Sequence, residues 1–329
     1  MPHVANLIRW EWFKMQRRWM PWVLLAIMVL FSQLVLWVSF ATYTGAESAT
    51  GPTLRDFGDG PGGGQQTTID CTQSDAPGAA VELREICAQW RMDYAEELQD
   101  MRNNFTLPGA LVNALTLAQG VGLLMVAILT ASAIGTDYGW GTLRSALARG
   151  TGRWQYLAAK LGLMALWAGG ALVIVAVLAS ISAAIAGSLA GGDLSGTASW
   201  MDSLEAFGRM WIALLPYIGL AAFVGVLTGS AAAGIGISLA YQFTENIAVA
   251  ILINVVSWFH NVADFLLARN ISAWTTGGSG GGGGPFVGEL GSVPGQWHAL
   301  AVLAVYTVVL CAIAFWLFPK RDVTGPSGG

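Results

Sequence analysis

Read as a pattern of apolar and polar positions, the 329 residues resolve into long apolar runs separated by short polar connections. A helix needs about 20 mostly apolar residues to cross a bilayer. Six runs reach that length: residues 21–42, 107–134, 156–188, 207–229, 231–259 and 298–318. The third is long enough to tilt or protrude, and Pro216 predicts a kink in the fourth that neighbouring helices can accommodate. Ahead of the first run, in residues 1–20, Val4, Ile8, Trp12, Met15 and Trp19 form one stripe, with Arg9, Lys14 and Arg17 off it. That pattern predicts an amphipathic helix lying in the membrane interface. Residues 43–106 break the apolar pattern. Their first part, "GDGPGGGQQTT", reads as loop. In the second part, Val81, Ile86, Trp90, Tyr94 and Leu98 recur every four or five positions, as on a helix. The predicted fold class is an all-α integral membrane protein. It has six transmembrane helices, an N-terminal interfacial helix, and an external α-containing domain between spans one and two.

Composition sharpens this reading. The chain is 54% hydrophobic and 11% charged, against roughly 25% charged residues in soluble domains. Lys and Arg in short loops set orientation. Ten of the 16 fall on one side if both termini are cytoplasmic: Arg9, Lys14, Arg17, Arg18, Arg144, Arg149, Arg153, Lys160, Lys320 and Arg321. Only Arg209 and Arg269 lie in short connections on the other side. The expectation is a multi-pass protein of the cell (plasma) membrane with a cytoplasmic tail, residues 319–329. The apolar run after Arg17 and Arg18 exceeds the 7–15 residues of a signal-peptide core, so it reads as a retained span. The segment 43–106 carries 11 acidic residues and four Arg, and so forms an acidic external domain. Cys71 and Cys87 both lie there, where an oxidising compartment favours a disulfide; two unpaired thiols are the alternative. The sequons at Asn104 and Asn270 also fall outside, and matter only in a glycosylating host. Residues 260–297 form a second external segment. It joins an amphipathic stretch too short to span, "HNVADFLLARNISAW", to a flexible glycine-rich run over 277–284 to which no role is assigned.

Recognisable catalytic chemistry is missing. Lys14, Lys160 and Lys320 are the only lysines and none follows a glycine, so no phosphate-binding GxxxxGK[ST] loop exists. There is no HExxH or CxxC, and His3, His260 and His298 are scattered. No metal site, bound cofactor, enzymatic activity or nucleic-acid partner is expected of this chain. Within the spans, an ionisable group is costly unless paired or wet and so marks function by default. Glu245 is that group, with Tyr241 one turn earlier on the same face and Asn246 and Asn254 following. The face looks toward a pathway or subunit interface, or else Glu245 makes a structural hydrogen bond to Gln119 or Ser132.

The connection over residues 135–155 has more order than a topology anchor requires. Gly139 and Gly141 flank Trp140, Leu143, Ala146 and Leu147 lie to one side with Arg144 and Arg149 beside them, and Gly150 and Gly152 end the segment. The sequence Gly141-Thr142-Leu143-Arg144, then Leu147, Arg149, Arg153 and Lys160, resembles the permease subunits of ABC-2-type ABC transporters. That family shows GTL-(R/E)-x-x-L, a basic residue and a Lys opening span three; many members carry Glu where Arg144 stands. Glu11, Lys14 and Arg17 are similar to the E-x-x-K-x-x-R of the family's N-terminal helix. The resemblance covers essentially the whole chain, whereas simple drug and polysaccharide exporters have a shorter loop after span one.

The resemblance implies that Trp140, Thr142, Leu143, Arg144, Leu147, Arg149 and Arg153 belong to a cytoplasmic coupling helix that docks on a separate ATPase. Glu11 and Lys14 would border that ATPase, unless the N-terminal helix is a plain anchor. It further implies two copies of an ABC ATPase subunit that carry the ATP and Mg, a second copy of the permease or a relative, and contact with membrane lipids. Export is the implied direction. The alternative is a non-ABC sensor or scaffold whose external domain binds a ligand or partner.

Overall fold

The computed structural model describes residues 2–48, 53–55, 68–70, 81–139, 152–190, 199–256, 258–277 and 294–320. In chain order these form α1 (Pro2–Gln16), α2 (Trp19–Ser48), strands β1 (Thr53–Arg55) and β2 (Thr68–Asp70), α3 (Val81–Asn103), α4 (Gly109–Gly139) and α5 (Arg153–Leu189). There follow α6 (Trp200–Thr228), α7 (Ala231–Val255), α8 (Phe259–Ala263), α9 (Leu267–Thr275) and α10 (Gln296–Leu317), closed by a 3-10 turn at Phe318–Lys320. The strands pair antiparallel, with Leu54 opposite Ile69. The protein is an all-α, membrane-spanning fold apart from this small ladder.

Among the described residues five helices are long and apolar enough to cross a membrane: α2, α4, α5, α6 and α10. The run predicted over 231–259 forms α7, a 25-residue apolar helix that ends at Val255. Val256 is extended and closes the helix by donating its N–H to the Leu252 carbonyl. The other spans begin or end a few residues outside their predicted limits. The reason is that polar terminal turns such as Thr136–Tyr138 and Arg153–Tyr156 still complete helical hydrogen bonds.

The chain divides into two compact units. The larger comprises residues 1–32, 114–178 and 200–329. Its core is built from Leu115, Met125, Leu157, Leu163, Leu172, Met210, Leu214 and Tyr217, all fully buried. Here α6 packs along α10, and α9 is wedged among α6, α7 and α10. Pro216 sits inside α6. A tight turn joins α6 to α7: Gly229 takes φ +64°, which disfavours any residue with a Cβ. The Ser230 side chain then caps α7 by accepting from the Ala233 N–H. Gly135 in α4 lets the first turn of α7 approach closely; a Cβ there would stand 2.1 Å from the Ala231 nitrogen.

The smaller unit comprises residues 33–113 and 179–199. Phe105 is fully buried between Phe40 and Tyr43, at ring centroid distances of 5.4 and 5.0 Å. In α3 the half-buried Trp90 and Tyr94 stack at 5.0 Å, and the Tyr94 hydroxyl donates to the Ala46 carbonyl. The protein-facing stripe of α3 runs through Cys87, Trp90, Tyr94 and Leu98, while Val81 and Ile86 of the predicted stripe are exposed. Cys87 is fully buried and disulfide-bonded. Cys71 lies outside the described residues.

Candidate functional site

The larger unit contains a buried ionic cluster assembled from three helices. Helix α1 turns Glu11 and Met15 inward, and exposes Trp10, Trp12 and Phe13. The stripe anticipated from the sequence is therefore split: Met15 faces protein, whereas Trp12 and Trp19, the latter 85% exposed, face outward. Aromatic residues on the outer side suit a helix lying at the membrane–water interface. Helix α1 ends at Gln16, and α2 starts at Trp19 after two intervening residues, with Pro21 in its first turn, where a missing N–H costs nothing. The elbow between them is held by Trp22 Nε1, which donates to the Gln16 carbonyl at 3.0 Å, and by Arg18, which donates to Thr136 Oγ1 at 3.1 Å.

Asp137 is the hub. It lies in the last turn of α4, where the helix dipole disfavours an anion, so cations must offset it. Lys14 Nζ donates to Asp137 Oδ1 at 2.9 Å, and Lys160 Nζ and the Tyr156 hydroxyl both donate to Oδ2. Tyr156 and Lys160 are four residues apart on α5 and so share one face. Lys160 also donates to the Ala133 carbonyl at 2.7 Å and to the Tyr156 hydroxyl at 3.2 Å. Glu11 closes the ring, 3.5 Å from Lys14 and 3.8 Å from Lys160. Two carboxylates thus face two ammonium groups, with the Arg18 guanidinium nearby, in a place where each unpaired charge would cost several kcal/mol, roughly. Burial lowers the Lys14 pKa from its ordinary value and Glu11 opposes that shift. A cavity of about 30 Å³ borders the cluster, lined on its polar side by Glu11, Lys14, Arg18, Ser132 and Lys160. A water needs roughly 10–15 Å³ of such space.

The same cluster frames the segment resembling a coupling helix. The chain leaves the described residues just after Gly139 at the end of α4, and re-enters at Gly152, before α5. Asp137 clasped to Tyr156 and Lys160 ties those two ends together. Arg153 donates to the Pro319 carbonyl, and the Phe318 ring stacks on Tyr156 at 6.3 Å, which adds the end of α10. Trp140, Thr142, Leu143, Arg144, Leu147 and Arg149 themselves lie outside the described residues. Asp137 and Tyr156 were not singled out from the sequence. Their signals were an acid in the final turn of an apolar run and an aromatic hydroxyl one turn before a span-opening lysine.

A second polar centre surrounds Glu245. Its Oε1 accepts from the Ala268 backbone N–H at 2.6 Å. Leu266, at the N-cap of α9, offers no side-chain cap. A carboxylate from α7 thus supplies the acceptor and negative charge that a helix N-terminus favours. Neither Gln119 nor Ser132 is its partner; the sequence offered no way to foresee a backbone donor 23 residues on. Tyr241, Tyr217 and Tyr306 interact electrostatically with Glu245. Asn246 turns away and donates to the Gln242 carbonyl of its own helix. The side chain of Asn254 is outside the described residues. Asn270, fully buried, donates through Nδ2 to the carbonyls of Asp264 and Leu266 at 2.8 and 2.7 Å. Its amide is therefore sealed within the protein.

The family described as a protein of unknown function (DUF2705) matches residues 84–324. That match runs from α3 through the 3-10 turn and takes in Asp137, Tyr156, Lys160 and Glu245, and the chain belongs to this family. A comparison with curated proteins finds no match.

Proposed function

We propose that this DUF2705-family member is the membrane subunit of an ABC-2-type transporter, acting as an exporter with both termini in the cytoplasm. Separate ATPase subunits, carrying ATP and Mg, would push on residues 140–151. A second permease copy would complete the pathway. The observation that carries this reading is the clasp of Asp137 with Lys14, Tyr156 and Lys160. It joins both ends of the segment that resembles a coupling helix to the interfacial helix α1. A force on 140–151 therefore moves α4, α5 and α1 together rather than bending a loose loop. Paired charges suit this task, because sliding them apart leaves largely buried ions without partners and costs more than separating an apolar contact would.

Glu245 extends the path. Ala231, at the start of α7, abuts Gly135 two residues before Asp137. Glu245 lies 14 residues further on, ~21 Å along the helix axis, and there holds the N-terminus of α9. Motion of the α4 end is thereby transmitted through α7 to a short buried helix suited to gating. The test is co-purification with an ATPase encoded beside the chain. Arg144→Glu combined with Leu147→Glu abolishes association and coupled transport on this reading. A double variant that binds the ATPase and transports like the wild type contradicts it.

A further inference from the structure

An open groove of about 740 Å³ runs between the first turn of α5 and the last turn of α10, lined by Trp154, Ala312, Ile313, Phe315 and Trp316. Trp154 and Trp316 are each 57% exposed. The Trp154 and Phe315 rings stack at 5.6 Å with planes 6° apart, which makes one continuous wall. Two cations stand at its rim. Lys320 Nζ lies 3.3 Å from the Trp316 ring centroid, and Arg153 donates to the Pro319 carbonyl. Among the described residues neither pairs with a carboxylate. Both helices are long and apolar enough to cross a membrane, which would put their ends and this aromatic wall at headgroup level.

We propose that the groove binds one anionic glycerophospholipid, its phosphate between Lys320 and Arg153 and its upper acyl chains along the Trp154–Phe315–Trp316 wall. The charge selects the occupant: two cations with no carboxylate partner among the described residues favour an anionic headgroup over a zwitterionic one. The shape argues against a second copy. Close helix contacts in membranes use small residues, whereas Ala312 is the one small residue here, and a symmetric contact would bring like charges together.

The test is native mass spectrometry of the full-length chain in detergent, given equimolar dioleoylphosphatidylglycerol and dioleoylphosphatidylcholine. The wild type retains phosphatidylglycerol roughly fivefold or more over phosphatidylcholine, the scale of one surface cation. Lys320→Gln, an exposed change that leaves the fold intact, lowers that preference several-fold, and Lys320→Arg keeps it. Trp316→Ala reduces retention of both lipids. Equal retention by the wild type, or an unchanged preference in Lys320→Gln, overturns the proposal. So does a disulfide-linked dimer formed through Ala312→Cys in a Cys311→Ser background, which would place a second copy in the groove.

Discussion

Asp137 accepts from three donors on two other helices, so losing its charge harms more than one contact. Removing one member of a buried ion pair costs about 3–5 kcal/mol, because the partner charges stay buried. Asp137→Ala is therefore expected to lower stability by about 3 kcal/mol, read as a large drop in the detergent-solubilised melting temperature. The pair Arg209–Glu205, although 2.7 Å apart, has an exposed carboxylate. Exposed pairs contribute about 0–1 kcal/mol, so Glu205→Ala is expected to shift the midpoint little. If the two variants melt alike, the cluster contributes no special stability. Lys160→Met should be rescued in part by Asp137→Leu, since an apolar replacement of the whole pair removes the stranded charge.

At the scale of elements, glycines fix two joints. A Cβ at Gly135 would overlap the Ala231 backbone nitrogen, so Gly135→Ala must push α7 from α4, at about 1–3 kcal/mol. Gly229→Ala strains the α6–α7 turn by about 1–2 kcal/mol. Both are read by thermal unfolding, and a neutral Gly135→Ala would contradict the close approach. Asn270, sealed against the Asp264 and Leu266 carbonyls, should gain no glycan in a glycosylating host, seen as no mass shift on glycosidase treatment. Helix positions were legible because apolar length and 3.6-residue periodicity are local properties. The sequence also singled out Glu245 as a costly charge and Lys160 as the lysine that opens the third span, but not their partners, since Ala268 and Asp137 are set by tertiary packing. The stripe read along α1 divides in the structure, because Glu11 draws its neighbour Met15 inward with the ionic cluster while Trp12 and Trp19 stay outside.

For the whole molecule, the proposed role makes the ionic clasp the joint through which the short basic connection moves the apolar helices. The orientation proposed for it rests on ten cations against two, and an impermeant thiol reagent should label Ala146→Cys only after permeabilisation. Transport by Glu245→Gln should fall, because a neutral amide weakens the cap on α9 while preserving its shape; unchanged transport would make that contact purely structural. The most direct measurement of the central claim is site-specific photocrosslinking from position 147 in cells that express the neighbouring ATPase. The account requires an adduct with the ATPase that is lost in the Arg144→Glu variant. A crosslink to lipid or to this chain alone, with the ATPase present and untouched, contradicts it.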